Sequence, residues 1–406
     1  MSTSLLYHAF GIRDYRYLRT WFEDGAVTFV VEPKKAKCPS CGWRVVVRHG
    51  YRWRRLSSLP IGRRPVFVEI KVPRVHCCSC GGFDELDPPF ADTRVTYTHA
   101  LARYVADLCR VTTIKAAADL TGLSWDIVKS IEKKRLRKLY ANPCLRGVRY
   151  VAVDEIAVRK GHRYMTLVAD LDTGRILHVA EGKDGDALVP FLKRLRRRRT
   201  PLKAIAMDMS AAYAAAVRDT LPGVPIVFDR FHVVKLMNER LDELRRAHVR
   251  DTEKAHGELV KGVRYLVLMG AEKLDEYEER KPGSKDRLQQ ALAVNEPLSK
   301  GYYLKEKLRL LWEEPDKACA EDLLNEWCAE AEASGVRELK RMAKTVASHR
   351  SGILAYFDHD GITSGPLEGI NNKVKTLKRM AYGYRDDEFF KLKLLGLHEA
   401  RYRLIG

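Results

Sequence analysis

The sequence lacks any apolar run of the roughly 18 residues that a membrane-spanning helix requires. Its N-terminus, residues 1–19, also lacks the apolar core of a secretory signal peptide. We therefore expect a cytoplasmic protein without a membrane partner. Internal repeats and low-complexity linkers are missing as well, which argues against a solenoid and against long disordered segments. With 406 residues, the chain is long enough for two to four domains with a sizeable core.

Acidic residues are few relative to basic ones. The chain has 53 Asp and Glu against 73 Lys and Arg, which gives a formal net charge of +20. A protein this basic is expected to meet a polyanion, and nucleic acid is the first candidate. The alternative is an enzyme that happens to be basic.

Cysteine is also sparse, with nine in the chain, and disulfides are not expected where thiols stay reduced. Four of the cysteines form two CxxC pairs, Cys38/Cys41 and Cys77/Cys80, separated by 77 − 41 − 1 = 35 residues. Each pair is followed by glycine, which permits the tight turn around a metal. The spacing predicts one structural Zn²⁺ held by four thiolates. Cys78 is an alternative to Cys77 as the third ligand.

Basic and aromatic residues alternate between the two cysteine pairs. Trp43, Tyr51 and Trp53 lie among arginines that would contact DNA phosphates from a rigid surface: Arg48, Arg52, Arg54 and Arg55. The alternative is a charged face that only meets solvent.

Residues 113–129 have the order of a helix-turn-helix. An alanine-rich helix is broken by Gly122, and Ser124 is placed to cap a second helix. Lys129 and Lys133 on that second helix would reach the DNA groove or its rim. An ordinary helical hairpin has the same short pattern, so the prediction of a DNA-binding motif depends on the basic composition of the surrounding chain.

The middle of the chain alternates strand-like and helix-like segments. Three strand-like runs in meander order precede a helix, a fourth strand, a short helix and a fifth strand, at residues 149–153, 162–170, 175–181, 186–197, 203–207, 211–219 and 225–229. This is the RNase H-like order, in which the ends of strands one and four are neighbours. Asp154 and Asp208 follow those two strands, 208 − 154 = 54 residues apart. Carboxylates at strand ends suit Mg²⁺, which prefers oxygen ligands; the alternative is that both merely end strands.

A third carboxylate, Glu368, lies at the start of a basic helix. Pro366 fits the first turn, and a stripe of polar and basic residues that would follow DNA comes after the glutamate: Asn371, Lys375, Lys378 and Arg379. Together with the two aspartates, Glu368 would complete a site for two Mg²⁺ ions that cuts and rejoins phosphodiesters. The alternative is an ordinary glutamate favoured by the helix dipole. The separation of 368 − 208 = 160 residues implies an inserted helical domain.

We predict a multidomain α+β protein in which an N-terminal zinc-binding β module and a helix-turn-helix precede an RNase H-like α/β core interrupted by an all-α insertion. The expected boundaries are residues 1–95 for the zinc module, 96–145 for the helix-turn-helix, 146–232 for the first part of the core, 233–360 for the insertion and 361–406 for the C-terminal helical part.

Several blocks of this sequence resemble the DDE transposases of the ISL-three family, which serve bacterial insertion sequences. The first block surrounds Asp154 and continues through Lys160-Gly161-His162, and the second comprises Met207-Asp208-Met209-Ser210 with the DxxH element of Asp229 and His232. The third runs from Gly365 through Glu368 to Lys375 and on to Tyr384. The cysteine pairs and the helix-turn-helix appear in the family's order, so the resemblance covers nearly the whole chain.

The resemblance implies an RNase H-like transposase, located in bacterial cytoplasm with the nucleoid, that binds the terminal inverted repeats of its element. It also implies that Asp154 bridges two Mg²⁺ ions, with Asp208 and Glu368 completing the two sites and Mn²⁺ tolerated. His232 would contact the scissile phosphate or orient a ligand, or else would only pack at a helix start. We expect double-stranded terminal-repeat and target DNA as partners and a homodimer or larger assembly on DNA. The alternatives are a domesticated DNA-binding regulator and an RNase H-like nuclease that only cuts.

Overall fold

The computed structural model describes residues 3–159, 163–251 and 254–398. The chain divides into two compact units, one formed by Met1–Ala141 with Met380–Gly406 and the other by Asn142–Arg379. Residues Lys160, Gly161 and His162 of the first motif block lie outside the described residues, as do residues 399–406 of the C-terminal helical part predicted over residues 361–406. None of the helices within the described ranges combines the length and apolar composition needed to cross a membrane.

The first unit begins with a short helix and a five-stranded sheet. The elements are α1 (Thr3–His8), β1 (Tyr15–Glu23), β2 (Ala26–Pro33), β3 (Val46–Ile61), β4 (Arg64–Cys77) and β5 (Phe83–Glu85). The strand order is β1-β2-β4-β3, with β5 paired to the end of β4. β-Branched and aromatic residues fill these strands, and one face buries Phe29, Val68 and Ile70 in a core of its own. The predicted zinc-binding β module is therefore present.

Three helices follow in the same unit, α2 (His99–Val111), α3 (Ile114–Thr121) and α4 (Trp125–Tyr140). Thr113 caps α3, Gly122 ends it with a left-handed φ of 69°, and Ser124 caps α4 by accepting from the Ile127 N–H. Ala117 is fully buried between the helices, where a small side chain allows close packing. The helix-turn-helix predicted over residues 113–129 is confirmed.

The second unit contains a five-stranded mixed sheet with α5 (Gly185–Arg197) and α6 (Ala211–Thr220) in the strand connections. Its strands are β6 (Tyr150–Arg159), β7 (Arg163–Asp170), β8 (Ile176–Glu181), β9 (Ala204–Met207) and β10 (Ile226–Phe228). The order β10-β9-β6-β7-β8 places the fourth strand beside the first, and both β9 and β10 run parallel to their neighbours. This is the RNase H-like arrangement that the sequence predicts.

Helices fill the interval between β10 and the Glu368 region. They are α7 (Arg230–Asp251), α8 (Lys254–Gly262), α9 (Arg264–Leu268), α10 (Ala271–Arg280), α11 (Ser284–Ala293), α12 (Glu296–Leu310), α13 (Lys317–Ala333), α14 (Arg337–Ser348) and α15 (Arg350–Asp358), with a 3₁₀ turn at Leu311–Glu313. Trp327 is fully buried and donates its indole N–H to the Leu304 carbonyl at 2.7 Å. These helices and the sheet share one continuous hydrophobic core.

Two helices close the described chain, α16 (Gly365–Met380) and α17 (Asp387–Leu395). Residues 381–386 separate them as an irregular segment, so the C-terminal helical part predicted over residues 361–406 is interrupted there. Gly383, with a φ of 94°, and Tyr382, with a φ of 50°, adopt left-handed conformations that end a helix. α16 belongs mainly to the second unit, whereas α17 belongs to the first and packs on α4.

Candidate zinc centre and catalytic site

The two cysteine pairs meet at one end of the β3–β4 hairpin. Val46 at the start of β3 pairs with Cys77 at the end of β4, which brings the preceding loop with Cys38 and Cys41 beside it. The Sγ atoms of Cys38 and Cys80 are 3.6 Å apart and those of Cys41 and Cys77 are 3.5 Å apart. A tetrahedral Zn²⁺ with Zn–S bonds of ~2.3 Å requires S···S edges of roughly 3.8 Å. The four thiols therefore fit one structural Zn²⁺.

The third thiol of the cluster belongs to Cys77, and Cys78 is exposed outside the cluster. The backbone N–H groups of the two CxxC turns point toward the thiols that open them. Hydrogen bonding from the Cys80 N–H lowers the pKa of Cys77 to about 6, and the Cys41 N–H lowers the pKa of Cys38. Each turn therefore favours the thiolate of its first cysteine, whereas burial and the neighbouring thiols raise the pKa values of Cys41 and Cys80 in the metal-free cluster.

The arginines of β3 differ in their availability for DNA. Arg54 is 7% exposed; it pairs with Asp87 at 3.0 Å and donates to the Val95 carbonyl at 2.8 Å. Arg54 therefore holds the hairpin to the following loop, and its predicted contact with DNA is wrong because the side chain does not reach the surface. Arg52 pairs with Glu85 and is partly exposed. Arg48 and Arg55 are exposed.

The basic face of α4 is occupied by α17. Lys129 and Lys133 both reach Asp386 at 2.9 Å, and Lys133 also reaches Glu388 at 2.8 Å. Burial favours the neutral acid, but hydrogen bonds from the Phe389 N–H and the two lysines hold the pKa of Asp386 below its usual range. In this structure the two lysines stabilise helix packing, so their predicted DNA contact requires that these ion pairs open.

Asp154 and Asp208 occupy matching positions on adjacent parallel strands. The last register pair of β6 and β9 is Ala152 with Ala206, and each aspartate comes two residues later (154 − 152 = 208 − 206 = 2). Because side chains alternate along a strand, each aspartate projects to the same face as its alanine. The structure thus brings these two predicted carboxylates together at one end of the sheet.

The surroundings of this pair disfavour a second negative charge when no cation is present. Burial raises the pKa of Asp208 most strongly, and the charge of Asp154 adds to this effect, whereas the hydrogen bond from the Ser210 N–H and the charges of His232 and Lys235 lower it. His232 lies in the first turn of α7 and is partly buried. Its side chain is thus near Asp208, as the DxxH resemblance implies.

α16 is attached to the sheet by a stripe of three side chains. Ser364 donates its hydroxyl to Asp229, Asn371 donates its Nδ2 to Asp154 at 2.7 Å, and Lys378 donates its Nζ to the Ala157 carbonyl at 2.8 Å. These residues are seven apart (371 − 364 = 378 − 371 = 7), which is nearly two helical turns and keeps them on one face. The helix therefore runs across the sheet end that carries the aspartates.

Glu368 lies between the first two of these anchors and is exposed. It is four residues after Ser364 and three before Asn371, so it shares their side of the helix. The three acidic groups do not converge fully, however. Within residues 3–159, 163–251 and 254–398, only the four cysteines form a group of at least three metal-ligating side chains with ligand atoms inside 4.8 Å.

The predicted DNA-binding residues of α16 also separate into two groups. Asn371 and Lys378 contact the sheet, and burial lowers the pKa of Lys378. Lys375 and Arg379 are exposed, and Lys375 reaches the Asn372 amide oxygen only at 3.4 Å. Lys375 and Arg379 are therefore accessible on this helix, as is the neighbouring Lys373.

The sequence interpretation missed two features of the site: the structural role of Asp229, which it gave only as part of the DxxH element, and the environment of Glu155. Asp229 follows β10 as Asp208 follows β9; it is 3% exposed and accepts both the Phe231 N–H and the Ser364 hydroxyl. It therefore joins the starts of α7 and α16. Glu155 is half-buried, and burial followed by the charges of Asp208 and Asp154 raises its pKa. An Asp directly after a third parallel strand was the available signal for the first feature.

Comparison with known proteins gives the same three parts. Family models match residues 34–80 as a zinc-finger of transposases IS204, IS1001, IS1096 and IS1165, residues 86–136 as the helix-turn-helix domain of transposase family ISL3, and residues 151–394 as a transposase domain. The transposase for insertion sequence element IS1001 of Bordetella parapertussis is 32% identical over 382 residues, covering 92% of each chain.

A second relative is the transposase for IS1557 of Mycobacterium tuberculosis, which is 28% identical over 402 residues and covers 90% of this chain and 87% of the relative. Among solved structures, the Drosophila P element transposase strand transfer complex aligns with a TM-score of 0.40 and 11% identity, covering 77% of this chain and 94% of the other. The extent of the family match and of the similarity to the IS1001 transposase shows that this chain belongs to the ISL3 family of DNA transposases.

Proposed function

We propose that this transposase binds the terminal inverted repeats of an insertion sequence and cuts and joins DNA strands with Asp154, Asp208 and Glu368 as its catalytic carboxylates. The observation that carries the proposal is the matched position of the two aspartates beneath the α16 face that bears Glu368. Carboxylate and amide oxygens are the ligands that Mg²⁺ takes. A buried amide oxygen of Asn371, without a partner among the described residues, adds to the fit.

In this proposal Asp154 and Asp208 would hold Mg²⁺ together, and Glu368 would complete the set of carboxylate ligands. Bound Mg²⁺ would activate the attacking water or 3′-hydroxyl and stabilise the leaving oxygen. The raised pKa of Asp208 follows from burial beside Asp154, so a cation there would relieve the cost of ionising both. Glu368 is exposed on a helix, so DNA and metal would draw it toward the pair.

Recognition of DNA is assigned to separate surfaces. The helix-turn-helix and the zinc-held hairpin with Arg48 and Arg55 would contact the terminal repeat, while Lys375 and Arg379 would hold phosphates near the catalytic carboxylates. We further propose a homodimer or larger assembly on DNA, because two transposon ends must be handled together.

The test measures strand cleavage and end binding in parallel for Asp154→Ala, Asp208→Ala and Glu368→Ala. We expect each variant to lose Mg²⁺-dependent cleavage and to shift terminal-repeat DNA on a gel nearly as the wild type does. Asp186→Ala, which removes an exposed carboxylate in the first turn of α5, serves as the matched control and should keep both activities. Cleavage at a near wild-type rate in any of the three would remove that residue from the site. A wild-type protein that binds the terminal repeats but never cuts DNA would instead favour the alternative of a domesticated DNA-binding regulator.

A further inference from the structure

Asn371 is placed in the carboxylate site by α16. It follows Glu368 by one helical turn, and its Nδ2 donates to Asp154 Oδ2 at 2.7 Å. The other oxygen of Asp154 accepts the Glu155 N–H at 2.7 Å. Asn371 is therefore a direct neighbour of the shared carboxylate, and the amide does not face an open DNA-binding surface.

The second polar atom of this amide has no comparable contact. Asn371 Oδ1 is buried, and no hydrogen-bond partner for it occurs in the portion of the chain that the structure describes. An orphaned buried acceptor is destabilising because it has lost its hydrogen bonds to water without gaining a partner. Such atoms in native proteins commonly mark the position of an ion or an ordered water. The orientation follows from chemistry, because an ionised Asp154 accepts hydrogen bonds and so selects the Nδ2 donor.

We propose that Asn371 is an additional ligand of the cation held by Asp154, an inference that rests on the proposed function. A cation at Asp154 Oδ2 repels the Nδ2–H groups and attracts the amide oxygen. Because the terminal torsion of Asn is broad and roughly two-fold, a half-turn exchanges the two atoms at little cost. Before the cation binds, the donor holds the Asp154 carboxylate in place. Afterwards the oxygen contributes to the hard-ligand set that Mg²⁺ and Mn²⁺ accept.

The test measures Mn²⁺ binding to full-length, zinc-loaded protein without DNA, using the electron paramagnetic resonance signal of free Mn²⁺. We expect Asn371→Ala to weaken the Asp154-dependent Mn²⁺ affinity by about tenfold or more, as loss of groups around a metal site does. Asn371→Asp keeps an oxygen and loses the N–H donor, so it should bind Mn²⁺ at least as tightly as the wild type.

Asn372 supplies the matched controls because it is the same residue type, next in the chain and exposed. Asn372→Ala should leave Mn²⁺ affinity unchanged, and Asn372→Asp measures the effect of an added charge alone. If Asn371 were only a donor competing with the cation for Asp154, Asn371→Ala would leave binding unchanged or tighter, and the inference would be overturned. An Asn371→Asp variant as weak as Asn371→Ala, or no tighter than Asn372→Asp, would overturn it as well.

Zinc content and circular dichroism report whether each variant folds, and the nearly isosteric Asn371→Leu replaces the alanine variant if that one does not. Failure of the proposed function has a different signature. In that case the wild type would show no Mn²⁺ binding that depends on Asp154 and Asp208, and the Asn371 variants would have nothing to change.

Discussion

Gly352→Ala should destabilise the catalytic unit although it places a better helix former in a helix. Gly352 lies in α15, which packs directly on β10, the strand that ends before Asp229. A Cβ at this position would stand 2.4 Å from Phe228 Cδ2, 2.5 Å from Phe228 Cε2 and 3.1 Å from the Ile226 carbonyl oxygen. Two of these contacts are shorter than any that carbon atoms normally make.

Two opposing terms decide the size of the effect. Alanine is favoured over glycine in a helix interior by about 1 kcal/mol. Overpacking a well-filled core costs ~1–3 kcal/mol or more. Phe228 is only 2% exposed and has the His349 ring 4.9 Å from its own, so it cannot rotate away. The third contact is backbone, which also cannot yield without moving β10. Three close contacts with unyielding neighbours place the clash term in the upper part of its range, at about 2–3 kcal/mol, so we expect a net loss of about 1–2 kcal/mol.

Calorimetric unfolding of full-length protein measures this loss, with Gly369→Ala as the matched control. Gly369 is an exposed residue of α16 in the same unit, and a Cβ there would meet no atom within 4 Å. In a unit of this size 1 kcal/mol corresponds to roughly 2–4 °C in Tm, so Gly352→Ala should lower Tm by roughly 2–8 °C. Gly369→Ala should raise it by up to about 4 °C. A Gly352→Ala variant that is as stable as Gly369→Ala would refute the close packing of α15 on the sheet.

Three further predictions concern metal, protons and charge. Cys38→Ser should lose zinc by elemental analysis because one thiolate of the tetrahedron is gone, whereas Cys78→Ser should keep it. Asp208→Asn should raise Tm at neutral pH in the absence of Mg²⁺. Burial raises the pKa of Asp208, so the wild type is more stable while this carboxyl is protonated. It loses this stabilisation as pH rises through the raised pKa, whereas asparagine stays neutral. The gain over wild type should therefore shrink as pH falls, and a pH-independent Tm difference would contradict it. Glu388→Gln removes the ion pair of Arg137 in α4, while Lys133 keeps its pair with Asp386, so the salt dependence of DNA binding should steepen by up to about one unit if Arg137 reaches a phosphate; an unchanged slope would show that it does not.

Local patterns were sufficient to predict much of the fold. Thr113, Gly122 and Ser124 mark the boundaries of the helix-turn-helix because capping and left-handed conformations depend on neighbouring residues alone. The strand order follows from three antiparallel strands and two later parallel ones. Asp208 follows β9 as expected, whereas β6 continues past Asp154 to Arg159, because residues 155–159 still pair with β7. The CxxC spacing predicts the zinc ligands because tight turns around a metal are also local.

Long-range pairing could not be predicted in this way. A basic stripe on α4 has the same pattern whether it meets DNA or Asp386, which lies 386 − 133 = 253 residues after Lys133. Arg54 alternates with exposed residues along β3, and nothing local indicates that a loop of Asp87 and Val95 covers it. Likewise, helical periodicity places Asn371 on the polar side of α16 but cannot distinguish a phosphate from the Asp154 carboxylate as its partner.

The most direct test of the central claim replaces Mg²⁺ with Fe²⁺ in full-length, zinc-loaded protein and adds ascorbate and peroxide. Radicals formed at the bound iron cut the backbone nearby, and mass spectrometry locates the cuts. We expect cuts close to Asp154 at the end of the sheet, close to Asp208 after β9 and close to Glu368 in the first turn of α16. All three should vanish together in Asp154→Ala. Cuts that persist in that variant, or a wild type without cuts at these positions, would contradict a metal-dependent catalytic site built from these carboxylates.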